Sequence, residues 1–251
     1  MRAAADTPTE AVLVLRTLGA PQRRRLRGRR GHVVDSADPE AVPTSRATLV
    51  APEPFGGGEG EAKAWLLALR RDKQRAEHEL DTAVRRLNRA LHAQRLAAAD
   101  PYVRDVTSAQ ALVARIGYGS GEEASEGRFA AAWELPRERR RTRRSMEAPE
   151  VRFAAILGGR EPALACEELV LRARADLDAR RTREAALEAR IALEALLAEL
   201  PAAGELASLR GPVGEAANAA LAGALSPGVE RALAEAVERM ESALRRHRLG
   251  A

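Results

Sequence analysis

The side chains best equipped for chemistry gather in one stretch, GYGSGEEASEGRFAAAWELP from Gly117 to Pro136, where glycine, aromatic and acidic residues are interleaved. A glycine-rich turn can offer backbone N–H groups to phosphate. The phosphate-cradling loop, however, needs Lys followed by Ser or Thr after its last glycine, and the dinucleotide loop needs GxGxxG between a strand and a helix. Here Glu122 and Glu123 follow instead, and their charge repels phosphate, so the stretch reads first as a structural turn or lid. Glu122, Glu123, Glu126, Glu134 and Asp105 stand apart from the Glu/Arg-rich helical pattern. They are the groups a hydrolase or transferase would use for acid/base work. Tyr102, Tyr118, Phe129 and Trp133 supply much of a small aromatic complement, which makes residues 101–136 the natural partner or ligand surface.

The remaining reactive residues do not converge. His32, His78, His92 and His247 are scattered. His78 and His92 share a helix face, but at 1.5 Å rise per residue they lie about 21 Å apart and cannot hold one metal. Cys166 is the single cysteine, flanked by Glu167 and Glu168, with no CxxC spacing and no positioned histidine. A buried small side chain suits it better than a nucleophile. No catalytic residue, metal or cofactor is assigned from sequence.

Two arginine blocks carry a different chemistry. PQRRRLRGRR contains Arg23, Arg24, Arg25, Arg27, Arg29 and Arg30; RERRRTRR contains Arg137, Arg139, Arg140, Arg141, Arg143 and Arg144. Each concentrates charge that the overall balance of +5 hides, and such blocks neutralise several anionic groups at once. An acidic protein partner is the first expectation and non-specific nucleic acid the alternative. Aromatic residues do not interleave the blocks, so stacking on single-stranded bases has little basis.

The elements that must hold these residues are helical. Glu61–Ala99 lacks Gly and Pro and repeats Leu69, Ala76, Ala83 and Ala90 every seven residues, with Leu66, Lys73, Leu80, Leu87 and Gln94 in the companion phase, a seam made imperfect by the polar Lys73 and Gln94. Pro162–Leu200 has matching length and a similar apolar phase. The spacing predicts an all-α fold: a long antiparallel helical hairpin or coiled-coil-like pair with short accessory helices, one of them over Thr107–Ile116. Residues 1–60 read as a flexible, basic, largely disordered region, 61–200 as the helical core with a Gly/aromatic insertion at 101–160, and 201–251 as a helical cap. Within the first region, Glu10–Leu18 is open between strand and helix, and Ser45–Val50 suits a short strand or a docking segment. PAAGELASLRGPVGE, from Pro201, reads as short pieces, followed by a brief helix at Asn218–Leu225. Ser226 and Pro227 begin a last helix with an apolar stripe at Val229, Leu233, Val237, Met240 and Leu244.

Aromatic residues make up 3% of the chain, so its core must be Leu, Ala and Val, which suits closely approaching helices. No apolar run nears the roughly 20 residues that span a bilayer. Asp6 and Glu10 before a short apolar run do not make a secretory signal, so cytoplasmic residence is expected. The functional expectation is a non-enzymatic helical interaction or scaffold protein, self-associating through surplus Ala/Leu surface, with its arginine blocks on an acidic partner.

Overall fold

The computed structural model describes residues 11–19, 43–136 and 149–248. Both arginine blocks, Arg23 to Arg30 and Arg137 to Arg144, lie outside the described residues. The chain forms two compact units, Met1–Glu138 and Arg139–Ala251. Residues 61–200 therefore contribute to both.

The fold is mostly helical, and the all-α expectation is corrected in the first unit by two small antiparallel sheets. Strand β1 (Val12–Leu18) pairs with β2 (Thr44–Val50) in continuous register from Val12↔Val50 to Leu18↔Thr44. Val, Leu and Thr dominate both stretches, and such side chains fit a pleated surface. Part of the region expected to be disordered is therefore sheet.

The predicted single helix Glu61–Ala99 is two helices, α1 (Gly58–Arg71) and α2 (Lys73–Ala98). The break is Asp72, whose backbone is extended and whose carboxylate accepts the Arg75 N–H at 3.0 Å. A short carboxylate that can cap a helix competes with continuing one. The expected helix over Thr107–Ile116 shrinks to one 3-10 turn, Ser108–Gln110, and its end becomes strand β3 (Arg115–Tyr118). A short helix α3 (Gly121–Ser125), capped by Ser120, leads to β4 (Ala131–Glu134). Ile116 then pairs with Trp133, and both pack with Trp65, Leu69, Ala76 and Leu135 in a small core.

The second unit contains α4 (Pro149–Leu157), α5 (Ala165–Asp178), α6 (Thr182–Glu199), α7 (Arg210–Ala222) and α8 (Pro227–Arg248). Pro162–Leu200 is thus not one helix. It turns at Arg180, which adopts a left-handed φ of 61°, and Arg181 reaches back to Asp176 at 2.6 Å. A helical hairpin forms inside the second segment, where α6 folds back on α5. Ala173, Ala185, Ala186, Ala189 and Ala192 are fully buried, so these helices approach with little side-chain volume between them. Pro201–Leu209 runs as a 3-10 helix into α7, whose first turn accepts Pro212 because proline, which has no N–H, removes no intrahelical bond there. Of the predicted α8 stripe, Leu233, Val237, Met240 and Leu244 are buried.

Arginine–carboxylate pairs tie these helices together. Arg174 makes a two-point contact from α5 to Glu241 of α8, at 3.0 and 2.8 Å. Glu167 of α5 receives both Arg152 of α4, at 2.9 Å, and Arg248 of α8, at 3.0 Å. Burial raises the Glu167 carboxyl, but the hydrogen bonds and charges of Arg152 and Arg248 outweigh it and hold the group below the ordinary glutamate value. The Glu199 carboxylate, at the end of α6, accepts the Ala165 and Cys166 N–H groups at 3.2 and 2.9 Å, capping α5. Cys166 is fully buried, and burial followed by the nearby Glu199 pushes its thiol up to about 12.

Two outcomes follow. A carboxyl lowered by folding stabilises fully above the ordinary glutamate range, and that contribution fades as pH falls through its folded value. Glu167→Gln is expected to cost about 2–3 kcal/mol at neutral pH, less than a fully buried pair because the guanidiniums keep some exposure. It should also flatten the acid limb of stability in denaturant titrations from pH 7 to 3; a variant as stable as the parent at neutral pH contradicts the assignment. Cys166 should resist thiol reagents at pH 8 in the native chain and react once denaturant opens the second unit.

Candidate functional site

The two faces of the β1–β2 hairpin differ, because opposed residues share a face and alternate residues do not. Leu13 and Leu49 are directly opposed. They face α2, and with Ala11, Ala90 and Ala93 they line an open groove of about 450 Å³, flanked by Arg86 and Arg89. Ala90 and Ala93 are one turn apart, and their small side chains leave the space that larger residues would close. Neither Arg86 nor Arg89 has an ion-pair partner among the described residues. An apolar floor beside two guanidiniums without an ion-pair partner among the described residues suits a group that is part hydrocarbon and part anion.

The four predicted aromatic contacts occupy different settings. Trp133 belongs to the small core with Trp65 and Leu69. Tyr118 shares the Trp133 face of the β3–β4 hairpin, opposite Ala131, and is half-buried. Phe129 is half-buried in the turn before β4, and Tyr102 is 83% exposed just beyond α2. The structure thus brings Tyr118 and Trp133 to one face and sets Tyr102 apart in solvent.

The carboxylates of the same stretch are held at the surface. Glu134 pairs across the hairpin with Arg115 at 3.2 Å, Glu123 accepts the Ser120 hydroxyl at 3.0 Å, and Glu126 pairs with Arg128 at 2.8 Å. Glu122 is exposed in the first turn of α3, and Asp105 is half-buried in the loop after α2. Among the described residues no group of three or more His, Cys, Asp or Glu side chains is placed to hold a metal. His92 instead meets Arg95 one turn away, at 3.1 Å.

Sequence reasoning passed over the groove residues. Arg86 and Arg89 sit in a run of charged helical residues that ordinarily face water, and only the strands brought opposite them give the pair an apolar floor. No described helix is long and apolar enough to cross a membrane.

The seat of Trp133 depends on Gly117. A Cβ there would lie 2.5 Å from the Ala131 carbonyl oxygen and 2.8 Å from the Ala132 Cβ. Gly117→Ala is expected to force β3 from β4 and cost about 1–3 kcal/mol by chemical denaturation. Gly121→Ala, with nothing within 4 Å of the new carbon, serves as control; equal effects from both would refute the close-approach argument.

Compared with known proteins, the chain matches no family model, no curated protein and no solved structure.

Proposed function

We propose that this chain is a non-enzymatic interaction protein that associates with copies of itself through apolar helix faces and presents arginine-rich surface to an acidic partner. The observation that supports it most is the large apolar area the second unit leaves in water. Phe153 and Leu157, one turn apart on α4, are 65% and 76% exposed. Ile191 on α6 is 59% exposed, with Leu187 one turn before it and Leu171 exposed on α5. Leucines and a phenylalanine at helical spacing, outside a core that is already closed, are what a helix-to-helix contact requires. Charged residues nearby are already paired, Arg172 with Glu168 within α5 at 2.9 Å and Arg210 of α7 with Glu194 of α6 at 2.7 Å. The groove flanked by Arg86 and Arg89 supports the acidic-partner part of the reading.

Sedimentation velocity over a wide concentration range checks the association. The parent chain is expected to show concentration-dependent oligomers, and Phe153→Glu or Ile191→Glu to weaken them at least tenfold, as loss of a central apolar anchor does. A parent that stays monomeric throughout rules the association out. Binding of an acidic polypeptide, compared between the parent and a chain with both arginine blocks changed to Ser, separates the blocks from the groove: unchanged binding clears the blocks and leaves Arg86 and Arg89.

A further inference from the structure

The face of the β1–β2 hairpin turned away from the groove carries an unusual charge arrangement. Arg16 and Arg46 are directly opposed in the register, so two guanidinium side chains leave the same face of one hairpin. Like charges in that relation destabilise a sheet unless counter-charge is supplied. The fold supplies one carboxylate. Glu126, just beyond α3, has one oxygen 3.8 Å from Arg16 Nη2 and the other 2.8 Å from Arg128 Nη2.

Among the described residues Arg46 receives no such partner. Its guanidinium lies against Gly127, where a Cβ would meet Arg46 Nη1, Cζ and Nε at 2.7, 2.8 and 3.0 Å. Gly127 also takes a left-handed φ of 73°, so glycine both permits the turn and makes the room. Arg46 Nε is buried with no hydrogen-bond partner among the described residues. A buried, unsatisfied donor on a charged group is costly, and native structures seldom keep one without a use. Arg46 as a whole is only half-buried, and Arg16 and Arg128 are exposed, so the cluster is open to solvent on one side.

We propose that Arg16, Arg46 and Arg128 form an oxyanion site whose ligand is a phosphate group, anchored by Arg46. Arg16 and Arg128 share the Glu126 carboxylate while Arg46 stays unpaired, so the three guanidiniums exceed that carboxylate by two positive charges, the complement of a phosphate dianion. Planar guanidinium forks suit its several oxygens, whereas a single carboxylate has only two to share, as Glu126 does here. Glu126 is then the internal competitor, holding Arg16 and Arg128 in position and yielding part of that pairing when phosphate enters. The site goes beyond the acidic-polypeptide reading, because its ligand is a phosphate group, and is independent of self-association. The phosphate has two sources, a free phosphate or phosphomonoester and the backbone of a nucleic-acid strand.

Calorimetric titration of the full chain with inorganic phosphate at low ionic strength tests the site, with a short labelled single-stranded oligonucleotide as second probe. Saturable phosphate binding is expected, weakened at least ~10-fold in Arg46→Gln, as loss of a charged hydrogen-bonding partner implies. Glu126→Gln should tighten it several-fold by removing the competitor, and Arg115→Gln, at a surface pair with Glu134, should leave it unchanged. Oligonucleotide that displaces phosphate and loses affinity in Arg46→Gln identifies a nucleic-acid backbone as the source; phosphate binding without displacement identifies the free anion. Absence of binding to both probes, parent-like binding by Arg46→Gln, or weaker binding by Glu126→Gln overturns the site. Should Arg46→Gln fail to fold by circular dichroism, the direction of the Glu126→Gln effect decides alone. Unaltered sedimentation of these variants keeps this result separate from the association reading.

Discussion

Close backbone approach between alanine-faced helices is the constraint on which the second unit rests. With so few aromatic side chains, a helical core cannot be filled by large residues meeting at a distance. It is made instead by bringing α5 and α6 together until Ala173 and the four buried alanines of α6 lie in contact range, with Val170, Leu193 and Leu196 filling what remains. Such a contact has little tolerance for extra volume, because every methylene added at an alanine position must displace backbone rather than another side chain. The ion pairs from α5 to α4 and α8 then fix the direction in which the outer helices lie.

Arginine in this chain has two physical roles that composition alone does not separate. In the second unit Arg152, Arg174, Arg210 and Arg248 each reach a carboxylate on another helix, so they belong to the architecture. In the first unit Arg86 and Arg89 flank an apolar groove, and Arg46 is held against Gly127 without an acceptor. The difference is the availability of acidic residues on neighbouring elements. Where helix faces helix, Glu167, Glu194 and Glu241 stand opposite these guanidiniums, whereas no carboxylate among the described residues lies within ion-pair distance of Arg46, Arg86 or Arg89.

What was legible in the sequence was local. Ser226 followed by Pro227 marked the start of α8, Pro201 marked the end of α6, and the apolar spacing of α8 picked out its buried face, because each of these depends on neighbours within a few residues. Asp72 and Arg180 were missed for a common reason. Neither is Gly or Pro, and each break is completed by a specific hydrogen bond, Asp72 to the Arg75 N–H and Arg181 to Asp176, that no propensity records. The β1–β2 pairing joins residues far apart in the chain, from Leu18 with Thr44 to Val12 with Val50, so neither strand announces its partner. The groove and the arginine cluster are products of that pairing and were invisible with it.

The carboxylate of Glu199 carries a consequence for how the second unit moves. It joins the last turn of α6 to the first turn of α5, while the Arg180 turn joins their other ends, so the two helices are fastened at both extremities. Neither helix can fray from its free end without releasing the other's cap. Amide hydrogens along α5 and α6 are thereby bound into one exchange unit, opening together rather than from the termini inward, and a ligand or partner that touches either helix acts on the protection of both.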